Sequence, residues 1–579
     1  MSKAGLLASS VSAFALMCFA VDAHTLMSDP AHPNMQVTPD RIIQSQAATD
    51  KYRQRRFNII LKPEAAAAAA AVQNYFNGFG FQTQYHPYTN SIEVRGTYAQ
   101  AEQAGGFTYV APNATGTTPG APYQLSSAPH FPASISNAIL ATTFDPGPVM
   151  EPQFSVTINA PSLLPVHFGL AGLAPEDYAT LYGYNQLYAA GINGSGQVVD
   201  IAACYGYLHG ATPGVNDDIT IFGQDFGLSP LPPNITAFYP SGHGVVSYSF
   251  EPLLDLSRVY GTAPGAAIRI WFSPNCTFGE FTNLFLDIAN DQQTHGAAAF
   301  TVSYGLPELR VLQLFGSTEF IAADAALSAI TGGASQKVAL FAASGDNGDE
   351  SIRDYFVFRA PQHFGLQLGT ADVLFFASDP NVISVGGTTV FPVSPTNVQR
   401  SAEFAWSGAT EANLGGSGGG VSNIWGLPPW QRGVSGTASQ TFKNLPDVSS
   451  NASVESAVLA VRRGQVVQTG GTSAGSPTWA GTVALLQQLI LKSFNFTVNN
   501  WPRILYSNPE LFTDIAAGSN GRYNAGPGYD NVTGLGVPCL YATADACANG
   551  STAEAAETPS QSPASLRDLA ARLVAAAKR

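Results

Sequence analysis

Residues 470–477 read Gly-Gly-Thr-Ser-Ala-Gly-Ser-Pro, and an apolar stretch with helical character follows from Thr478 to Leu491. A serine between glycines at the start of a helix has an exposed hydroxyl group and backbone N–H donors close by. Residues 471–475 also match the Gly-x-Ser-x-Gly turn on which α/β-hydrolases carry their nucleophile. The alternative is a glycine-rich turn that leads into a buried helix. The segment makes Ser473 the candidate nucleophile of an α/β protein.

The sequence on the N-terminal side of Ser473 predicts the sheet that such a turn requires. Short apolar runs alternate with stretches long enough for crossover helices, and these runs cover residues 197–203, 268–272, 299–303, 338–343 and 382–385. Continuous apolar strands separated by helices are typical of a mostly parallel sheet that is covered on both faces. We therefore expect an α/β fold with helices on both faces of a mostly parallel sheet.

A chain of 579 residues exceeds one typical domain. Changes in composition and apolar pattern along the chain divide it into four parts. Residues 1–23 read as an export signal that ends at Val21-Asp22-Ala23, with a membrane anchor as the alternative. Residues 24–165 combine a small α+β unit with a Pro/Ser/Thr-rich linker from about residue 111. The main domain follows over residues 166–548. Residues 549–579 form a tail in which Leu566, Leu569 and Leu573 mark one face of a short helix, and we expect this tail to be solvated.

The charge balance narrows the range of functions. Lys and Arg number 26 and Asp and Glu number 40, which gives a formal net charge of -14, and only 11% of residues are charged. Nothing in this balance supports nucleic-acid binding, which needs basic patches or stripes. Sparse charge suits a protein that works in acid, because few cationic groups remain to repel each other once the carboxylates are protonated. With the export signal, the composition indicates a secreted protein.

Four cysteines remain after Cys18 leaves with the signal: Cys204, Cys276, Cys539 and Cys547. An even number in an oxidising compartment indicates one or two disulfides, and four cysteines allow three pairings. The short loop between Cys539 and Cys547 is the favoured pair.

The group that accepts the proton of Ser473 has to be identified separately. All nine histidines lie at or before His363, whereas an α/β-hydrolase has its histidine after the nucleophile. Asp200, His243 and Ser473 follow the order of a subtilisin triad, but the rest of the histidine motif of subtilisins is missing around His243. Glu251 and Asp255 are the better candidates, because a spacing of four places both carboxylates on one helix face. Neighbouring carboxyl groups tune each other, and a glutamate base stays ionised near pH 4, where histidine is protonated.

Two further motifs carry carboxyl groups. Asp346, in Ser344-Gly345-Asp346-Asn347-Gly348, follows an apolar strand, and α/β sheets build their sites at this end. If it is protonated, Asp346 can donate a hydrogen bond to a developing oxyanion, although an Asp-Gly turn is the simpler interpretation. Asp514-Ile515 and Gly526-Pro527-Gly528-Tyr529-Asp530 offer carboxylates and carbonyls to a hard cation such as calcium, without the spacing of an EF-hand.

These four pieces, in this order, resemble the sedolisin family of serine-carboxyl peptidases. Gly-Thr-Ser-Ala at Ser473 is similar to the family's nucleophile motif, and Glu251 and Asp255 match its Glu-x-x-Leu-Asp pair. Ser344-Gly345-Asp346 is similar to its oxyanion segment. Residues 57–109 resemble a pro-kumamolisin activation domain, with Arg95-Gly96-Thr97 as the clearest piece.

The resemblance implies a subtilisin-like fold and a secreted, acid-active peptidase that is made as a self-processing zymogen. Ser473 would attack the peptide carbonyl, Glu251 would act as general base and then acid, Asp255 would orient Glu251, and Asp346 would stabilise the tetrahedral intermediate. One structural Ca²⁺ would bind Asp514 and Asp530 through side chains and Ile515, Gly526 and Gly528 through backbone carbonyls. The partners would be protein or peptide substrates and the chain's own prodomain, in a monomer that binds neither nucleic acid nor membrane. Self-cleavage would fall between about residues 111 and 185.

Two departures from the family pattern stand out. Pro252 disfavours α geometry at Glu251, so the helix is expected to begin there. Residues 349 to about 374 look like an insertion after Asp346. Two other functions stay open: a neutral subtilisin-like hydrolase that uses Asp200, His243 and Ser473, and a secreted binding protein with this fold and no catalysis.

Overall fold

The computed structural model describes residues 52, 54–110, 124–147, 150–153, 155–157, 164–167, 170–204, 217–241, 250–291, 296–315, 318–349, 371–407, 415–541 and 563–578. Residues from Gln54 onward belong to one unit. The predicted export signal, most of the predicted insertion, His243 and Cys547 lie outside the described residues. No described helix is long and apolar enough to cross a membrane.

The N-terminal part of the described chain is a small α+β layer, as the sequence predicts. Its antiparallel sheet has the order β2-β3-β1-β6. Phe57, Val72, Phe76, Ile92 and Val94 fill the core between this sheet and its helices. The elements are β1 (Gln54–Leu61), α1 (Ala69–Asn77), β2 (Gln82–His86), β3 (Ser91–Thr97), α2 (Tyr98–Gly105), the paired β4 (Tyr109–Val110) and β5 (Gln124–Leu125), α3 (Ala133–Ser136) and β6 (Ile139–Thr142).

Short strands connect this layer to the main domain. They are β7 (Glu151–Pro152), β8 (Ser155–Thr157), β9 (Val166–His167) and β10 (Leu170–Ala171). β9 and β10 pair with each other, whereas β7 and β8 pair with strands of the main domain. The segment predicted as an exposed linker therefore contains strands that belong to the sheets of the main domain.

The main domain is built on a sheet with the strand order β12-β13-β11-β14-β16-β18-β19, to which β22 adds beside β18. The described pairings are parallel except for β18 with β19. The strands are β11 (Val198–Cys204), β12 (Ile235–Phe238), β13 (Ala267–Ser273), β14 (Ala299–Val302), β16 (Ala339–Ala343), β18 (Ile383–Ser394), β19 (Asn397–Ala405) and β22 (Val448–Asn451). Smaller sheets use β15 (Tyr304–Pro307), β17 (Leu374–Phe375), β20 (Gly420–Gly426), β21 (Phe442–Leu445), β23 (Val458–Arg462), β24 (Gln465–Gly470), β25 (Phe512–Thr513) and β26 (Val537–Pro538).

Helices cover both faces of this sheet, so the predicted α/β architecture is confirmed. One layer contains α7 packed against α11, and the other contains α8 packed against α10. The helices are α4 (Pro175–Tyr182), α5 (Tyr184–Ala189), α6 (Asp218–Asp225), α7 (Glu251–Thr262), α8 (Phe278–Asn290), α9 (Glu308–Phe315), α10 (Thr318–Thr331), α11 (Thr472–Phe494), α12 (Trp501–Tyr506) and α13 (Pro563–Lys578). The carboxyl ends of the parallel strands meet at one edge, where open α/β sheets place their sites.

The N-terminal layer docks on helix α8 through polar side chains. Arg56 donates to Asp287 at 2.6 Å, and the amide of Asn58 donates to Asn283 at 2.9 Å. Thr143 adds a hydrogen bond to the same Asn283 at 2.7 Å. Arg56 is nearly inaccessible, and it also lies near the buried carboxyl of Glu280. The position of the N-terminal layer is thus fixed by a buried cation that faces acidic side chains of the main domain.

The C-terminal tail differs from the expectation of a solvated segment. Helix α13 packs against α11 and α12. Leu566, Leu569 and Leu573, the predicted apolar face, are all buried in the main core. The helix and its apolar face were predictable from the spacing of the leucines, but the surface that covers them comes from residues about 70–100 positions earlier in the chain.

The cysteine pairing is partly visible. Cys204 and Cys276 form a disulfide that links the end of β11 to the segment after β13. Cys539 is also disulfide-bonded, and its predicted partner, Cys547, lies outside the described residues.

The docking of α13 yields a prediction about stability. Because Leu573 is fully buried, Leu573→Ala should lower the free energy of unfolding by about 2–5 kcal/mol, measured by urea denaturation. Asp568→Ala, on the exposed face of the same helix, is the matched control and should change the free energy by less than about 0.5 kcal/mol. Equal stabilities of the two variants would show that the helix contributes nothing to the fold.

Candidate active site

Ser473 is the second residue of helix α11, immediately after a strained glycine turn. Gly471, which precedes the helix, has a φ of +116°, a conformation that L side chains rarely adopt. A Cβ atom on Gly470 would lie 2.5 Å from the carbonyl oxygen of Ala452. The two glycines therefore allow β24 to end abruptly, and the backbone N–H of Ser473 lies in the first turn of the helix. That N–H donates to the carbonyl oxygen of Gln153 at 3.0 Å.

Glu251 and Asp255 lie on the first turns of helix α7, and both side chains are fully buried. The helix begins at Glu251, with Pro252 in its first turn, where a missing N–H costs no intrahelical bond. Pro252 thus sets the start of the helix and leaves the two carboxyl groups on one side. Burial raises the pKa of Glu251 most, and the charge of the nearby Asp255 raises it further.

Ser303 connects these carboxyl groups to the nucleophile. Its hydroxyl donates to Asp255 Oδ1 at 2.6 Å. Its carbonyl oxygen accepts a long hydrogen bond of 3.4 Å from the hydroxyl of Ser473. The sequence analysis did not single out Ser303, although it directly follows β14, and residues at the carboxyl ends of parallel strands are site candidates.

Burial dominates the electrostatics of the carboxyl pair. Burial first, and the charge of Asp255 second, raise the pKa of Glu251 well above its ordinary value, while the nearby hydroxyls of Ser473 and Ser303 act in the opposite direction. Burial also raises the pKa of Asp255 to about 8, and the Ser303 hydroxyl opposes this rise. Burial in this covered site therefore works against the ionised form of Glu251 that the sequence analysis expects near pH 4. Water that enters the cleft would reduce the burial of Glu251 and would therefore lower its pKa.

Asp346 lies beside the nucleophile turn, close to where the sequence analysis expects it. Its Oδ1 accepts 2.8 Å hydrogen bonds from both the backbone N–H and the hydroxyl of Thr472. The Thr472 hydroxyl in turn accepts from the N–H of Gly345 at 3.1 Å. Asp346 also adds to the raised pKa of Glu251. The four predicted side chains, Glu251, Asp255, Asp346 and Ser473, therefore come together from three elements that are distant in sequence.

The alternative triad receives no support from Asp200. This side chain is fully buried in β11 and accepts hydrogen bonds from Arg269 at 2.7 Å and from Trp271 at 2.8 Å, both in the neighbouring strand β13. An aspartate engaged in this way holds two strands together. His243, the proposed base of that triad, lies outside the described residues.

The residues predicted to bind calcium form one loop cluster. Asp514 Oδ2 accepts from the N–H of Gly528 at 2.7 Å, and Asp530 Oδ2 accepts from the N–H of Gly526 at 3.0 Å. The Thr533 hydroxyl contacts both carboxylate oxygens of Asp530 and the carbonyl of Ile515, at 3.1–3.4 Å. Both carboxylates thus face the same glycine loop, with the Ile515 carbonyl close to Asp530.

Comparisons with curated proteins agree with this geometry. Kumamolisin from Bacillus sp. (strain MN-32) is 32% identical over 300 residues, which is 50% of this chain and 49% of that protein. Sedolisin from Pseudomonas sp. (strain 101) is 39% identical over 173 residues, 29% of each chain. The chain thus spans about half or less of the curated relatives it matches. No protein-family model matches it.

A solved structure extends the likeness to the fold. Pseudomonas sedolisin, a serine-carboxyl proteinase complexed with two molecules of pseudo-iodotyrostatin, superposes with a TM-score of 0.52 at 27% identity. The match covers 63% of this chain and 95% of that one. The resemblance inferred from the motifs and the α/β fold are both confirmed.

The raised pKa values give a prediction about stability and pH. Burial raises the pKa of Asp255 and Asp379 to about 8, of Glu319 to about 7, and of Asp145 and Asp287 to about 6. These groups bind protons more tightly in the folded than in the unfolded chain, so their contribution to stability is full near pH 4 and is lost as the pH rises through 6 to 8. The Tm of a Ser473→Ala chain should therefore fall between pH 4 and pH 8. Asp379→Asn should make the fall shallower, and a Tm that rises over this range would contradict the assignment.

Proposed function

We propose that the chain is a serine peptidase of the sedolisin kind that hydrolyses peptide bonds in proteins or peptides, in keeping with its likeness to kumamolisin and sedolisin. The observation that carries the proposal is the buried arrangement of Ser473 with the Glu251–Asp255 pair, which Ser303 joins by contacts to Asp255 and Ser473. In this arrangement Glu251 accepts the proton of Ser473 as general base and returns it to the leaving amine, and Asp255 orients Glu251.

The same geometry supports an oxyanion site. The backbone N–H of Ser473 lies at the N-terminus of a 23-residue helix, where the helix dipole favours negative charge. Asp346, held by Thr472, lies on the neighbouring side of the turn. A protonated Asp346 donates a second hydrogen bond to the tetrahedral intermediate.

We also propose that the mature enzyme is secreted and works in acid as a monomer. Two observations support activity in acid: only 11% of residues are charged, and burial raises the pKa of several carboxyl groups, which the fold therefore accommodates in protonated form. Because burial raises the pKa of Glu251, we propose that the form active in acid is the processed chain, in which solvent reaches the cleft. The N-terminal layer makes the chain a zymogen, and secretion rests on the predicted signal over residues 1–23.

Peptide hydrolysis by the processed chain from pH 3 to pH 8 tests the proposal. Activity should peak below about pH 5, and Ser473→Ala and Glu251→Gln should each lower kcat by at least about 100-fold, since removal of a nucleophile or a general base costs this much or more. Glu176→Gln, an exposed carboxyl elsewhere in the main domain, is the matched control and should leave kcat unchanged. Activity that peaks near neutrality and survives Glu251→Gln would instead make His243 the residue to test.

We propose a single structural Ca²⁺ at the loop of Asp514 and Asp530. The ligand chemistry fits, because two carboxylates and the carbonyls of Ile515, Gly526 and Gly528 give an all-oxygen set, which calcium prefers. Gly528 has a φ of +81°, so the loop turns tightly between the two carboxylates. The ion would hold this loop against the main domain and would take no part in the reaction.

Calcium binding should be visible as stabilisation of the fold. At free calcium a hundredfold above Kd, the free energy of unfolding should rise by about 2.7 kcal/mol, measured as a Tm increase that a chelator reverses. Asp530→Asn should reduce the calcium-dependent shift, and Asp225→Asn, at a distant and more exposed carboxyl, should retain it. A Tm that is independent of calcium in the unmutated chain would exclude the site.

A further inference from the structure

Thr472 lies between the candidate nucleophile and the candidate oxyanion group. It is the first residue of helix α11, directly before Ser473, and it is fully buried. A buried hydroxyl has to form its hydrogen bonds within the protein, with one proton to donate and lone pairs that accept. The partners of the Thr472 hydroxyl are Gly345 and Asp346, on the segment that follows β16. This hydroxyl therefore connects the start of α11 to the carboxyl end of the sheet.

The contacts of the Thr472 hydroxyl fix the direction of its proton. A backbone N–H can only donate, and the N–H of Gly345 donates to Thr472 Oγ1 at 3.1 Å. Of the residues that the structure describes, Asp346 supplies the acceptor for the hydroxyl itself, with its Oδ1 atom at 2.8 Å from Oγ1. Because a buried hydroxyl proton without an acceptor is costly, this proton points to Asp346 Oδ1.

Asp346 Oδ1 is thus the accepting oxygen of its carboxyl group. It accepts from the hydroxyl and from the backbone N–H of Thr472, each at 2.8 Å. In a neutral carboxyl group one oxygen accepts and the other carries the proton. Two donor hydrogens directed at Oδ1 disfavour a proton on that atom, so a protonated Asp346 carries its proton on Oδ2. A fixed donor on Oδ2 is what the proposed oxyanion site requires.

The backbone around Asp346 is held by a second segment. The N–H of Gly416 donates to the carbonyl oxygen of Asp346 at 2.7 Å, and the N–H of Gly418 donates to the carbonyl oxygen of Gly345 at 2.8 Å. Gly345 has a φ of +110°, a conformation that L side chains rarely adopt. With the backbone fixed in this way, the two contacts to Thr472 set the rotation of the carboxyl group.

We propose that Thr472 is a positioning residue, whose hydroxyl orients the carboxyl group of Asp346 so that the proton on Oδ2 faces the oxyanion of the tetrahedral intermediate. This inference rests on the proposed peptidase function and adds a residue that acts through Asp346. Without the hydroxyl, the carboxyl group can turn, and its hydrogen bond to the developing oxyanion weakens. Because that hydrogen bond is made in the transition state, its loss lowers kcat and leaves KM unchanged.

Thr472→Val replaces the hydroxyl with a methyl group of similar size and tests the inference in the processed chain. Its kcat for a peptide should fall at least about tenfold at unchanged KM, the equivalent of one hydrogen bond made in the transition state. Thr472→Ser keeps the hydroxyl and should hold kcat within about threefold of the native value. Thr482→Val is the matched control, because it removes another buried hydroxyl of the same helix, which donates to the carbonyl oxygen of Thr478 at 2.8 Å. It should keep the native kcat.

A transition-state analogue separates positioning from stability. A peptide aldehyde forms a tetrahedral adduct with a serine hydroxyl, so its affinity depends on the oxyanion donors. Thr472→Val should weaken aldehyde binding by the same factor as it lowers kcat, measured by calorimetry. Thr482→Val should bind the aldehyde as the native chain does, even if its Tm falls as far as that of Thr472→Val.

Asp346→Asn gives a test that does not depend on the folding of Thr472→Val. The two donors at Oδ1 should select the orientation in which the amide oxygen takes their hydrogen bonds and the NH₂ group occupies the position of Oδ2. This variant should therefore keep at least about tenfold more kcat than Asp346→Ala, since its NH₂ group still donates to the oxyanion. Equal kcat in the two variants would overturn the fixed orientation.

The remaining outcomes separate this inference from the proposed function. If the native chain hydrolyses peptides in a Ser473-dependent way but Thr472→Val keeps native kcat and aldehyde affinity, Thr472 positions nothing and the peptidase function stands. Equal losses of kcat in Thr472→Val and Thr482→Val would likewise reduce Thr472 to a stabilising residue. If the native chain shows no Ser473-dependent hydrolysis, the proposed function fails and this inference fails with it.

Discussion

The burial of two carboxyl groups beside a serine hydroxyl is the constraint on which the rest of the site depends. Glu251 and Asp255 are inaccessible to solvent, and burial is the largest cause of their raised pKa values. A buried carboxyl pair is tolerated only where protons and hydrogen-bond donors compensate it, and the hydroxyls of Ser303 and Ser473 supply part of that compensation. The carboxyl ends of β14 and β16 and the start of α11 converge on these two groups. The parallel sheet is what allows segments about 50–220 residues apart to do so.

Much of this could be predicted from the sequence, because the informative signals are local. The glycines before Ser473 predict a sharp turn into a helix, the spacing of Glu251 and Asp255 places them on one face, and apolar runs predict the parallel strands. Ser303 was missed because one serine after an apolar run carries no distinctive pattern, and its role follows from a contact with Asp255, 48 positions away. The pKa of Glu251 was judged from its ordinary value, and the amount of burial at a site is a property of the assembled fold. The spacing of the leucines likewise predicted the apolar face of helix α13, but it did not predict that helices α11 and α12 cover this face.

The segment that contains β7 and β8 shows more clearly that composition does not predict contacts between distant parts of the chain. Its composition is that of an exposed linker, yet β7 and β8 pair with β15 and β24 of the main domain. Strand preference depends strongly on context, so the composition of strands only two or three residues long does not reveal their pairing. The same segment also lies beside the candidate nucleophile, because the carbonyl oxygen of Gln153 accepts from the N–H of Ser473. The N-terminal layer, which docks on helix α8 through the buried Arg56, precedes this segment in the chain and holds its upstream end against the main domain.

The most direct test of the central claim is the reactivity of Ser473 toward a fluorophosphonate, followed by intact mass after processing in trans by a trace of the native chain. If Glu251 takes the proton of Ser473, labelling of Ser473 should be at least about 100-fold slower in Glu251→Gln than in the native chain, and unchanged in Glu176→Gln. Equal labelling rates in Glu251→Gln and the native chain would contradict the account, because another group would then have to activate the serine.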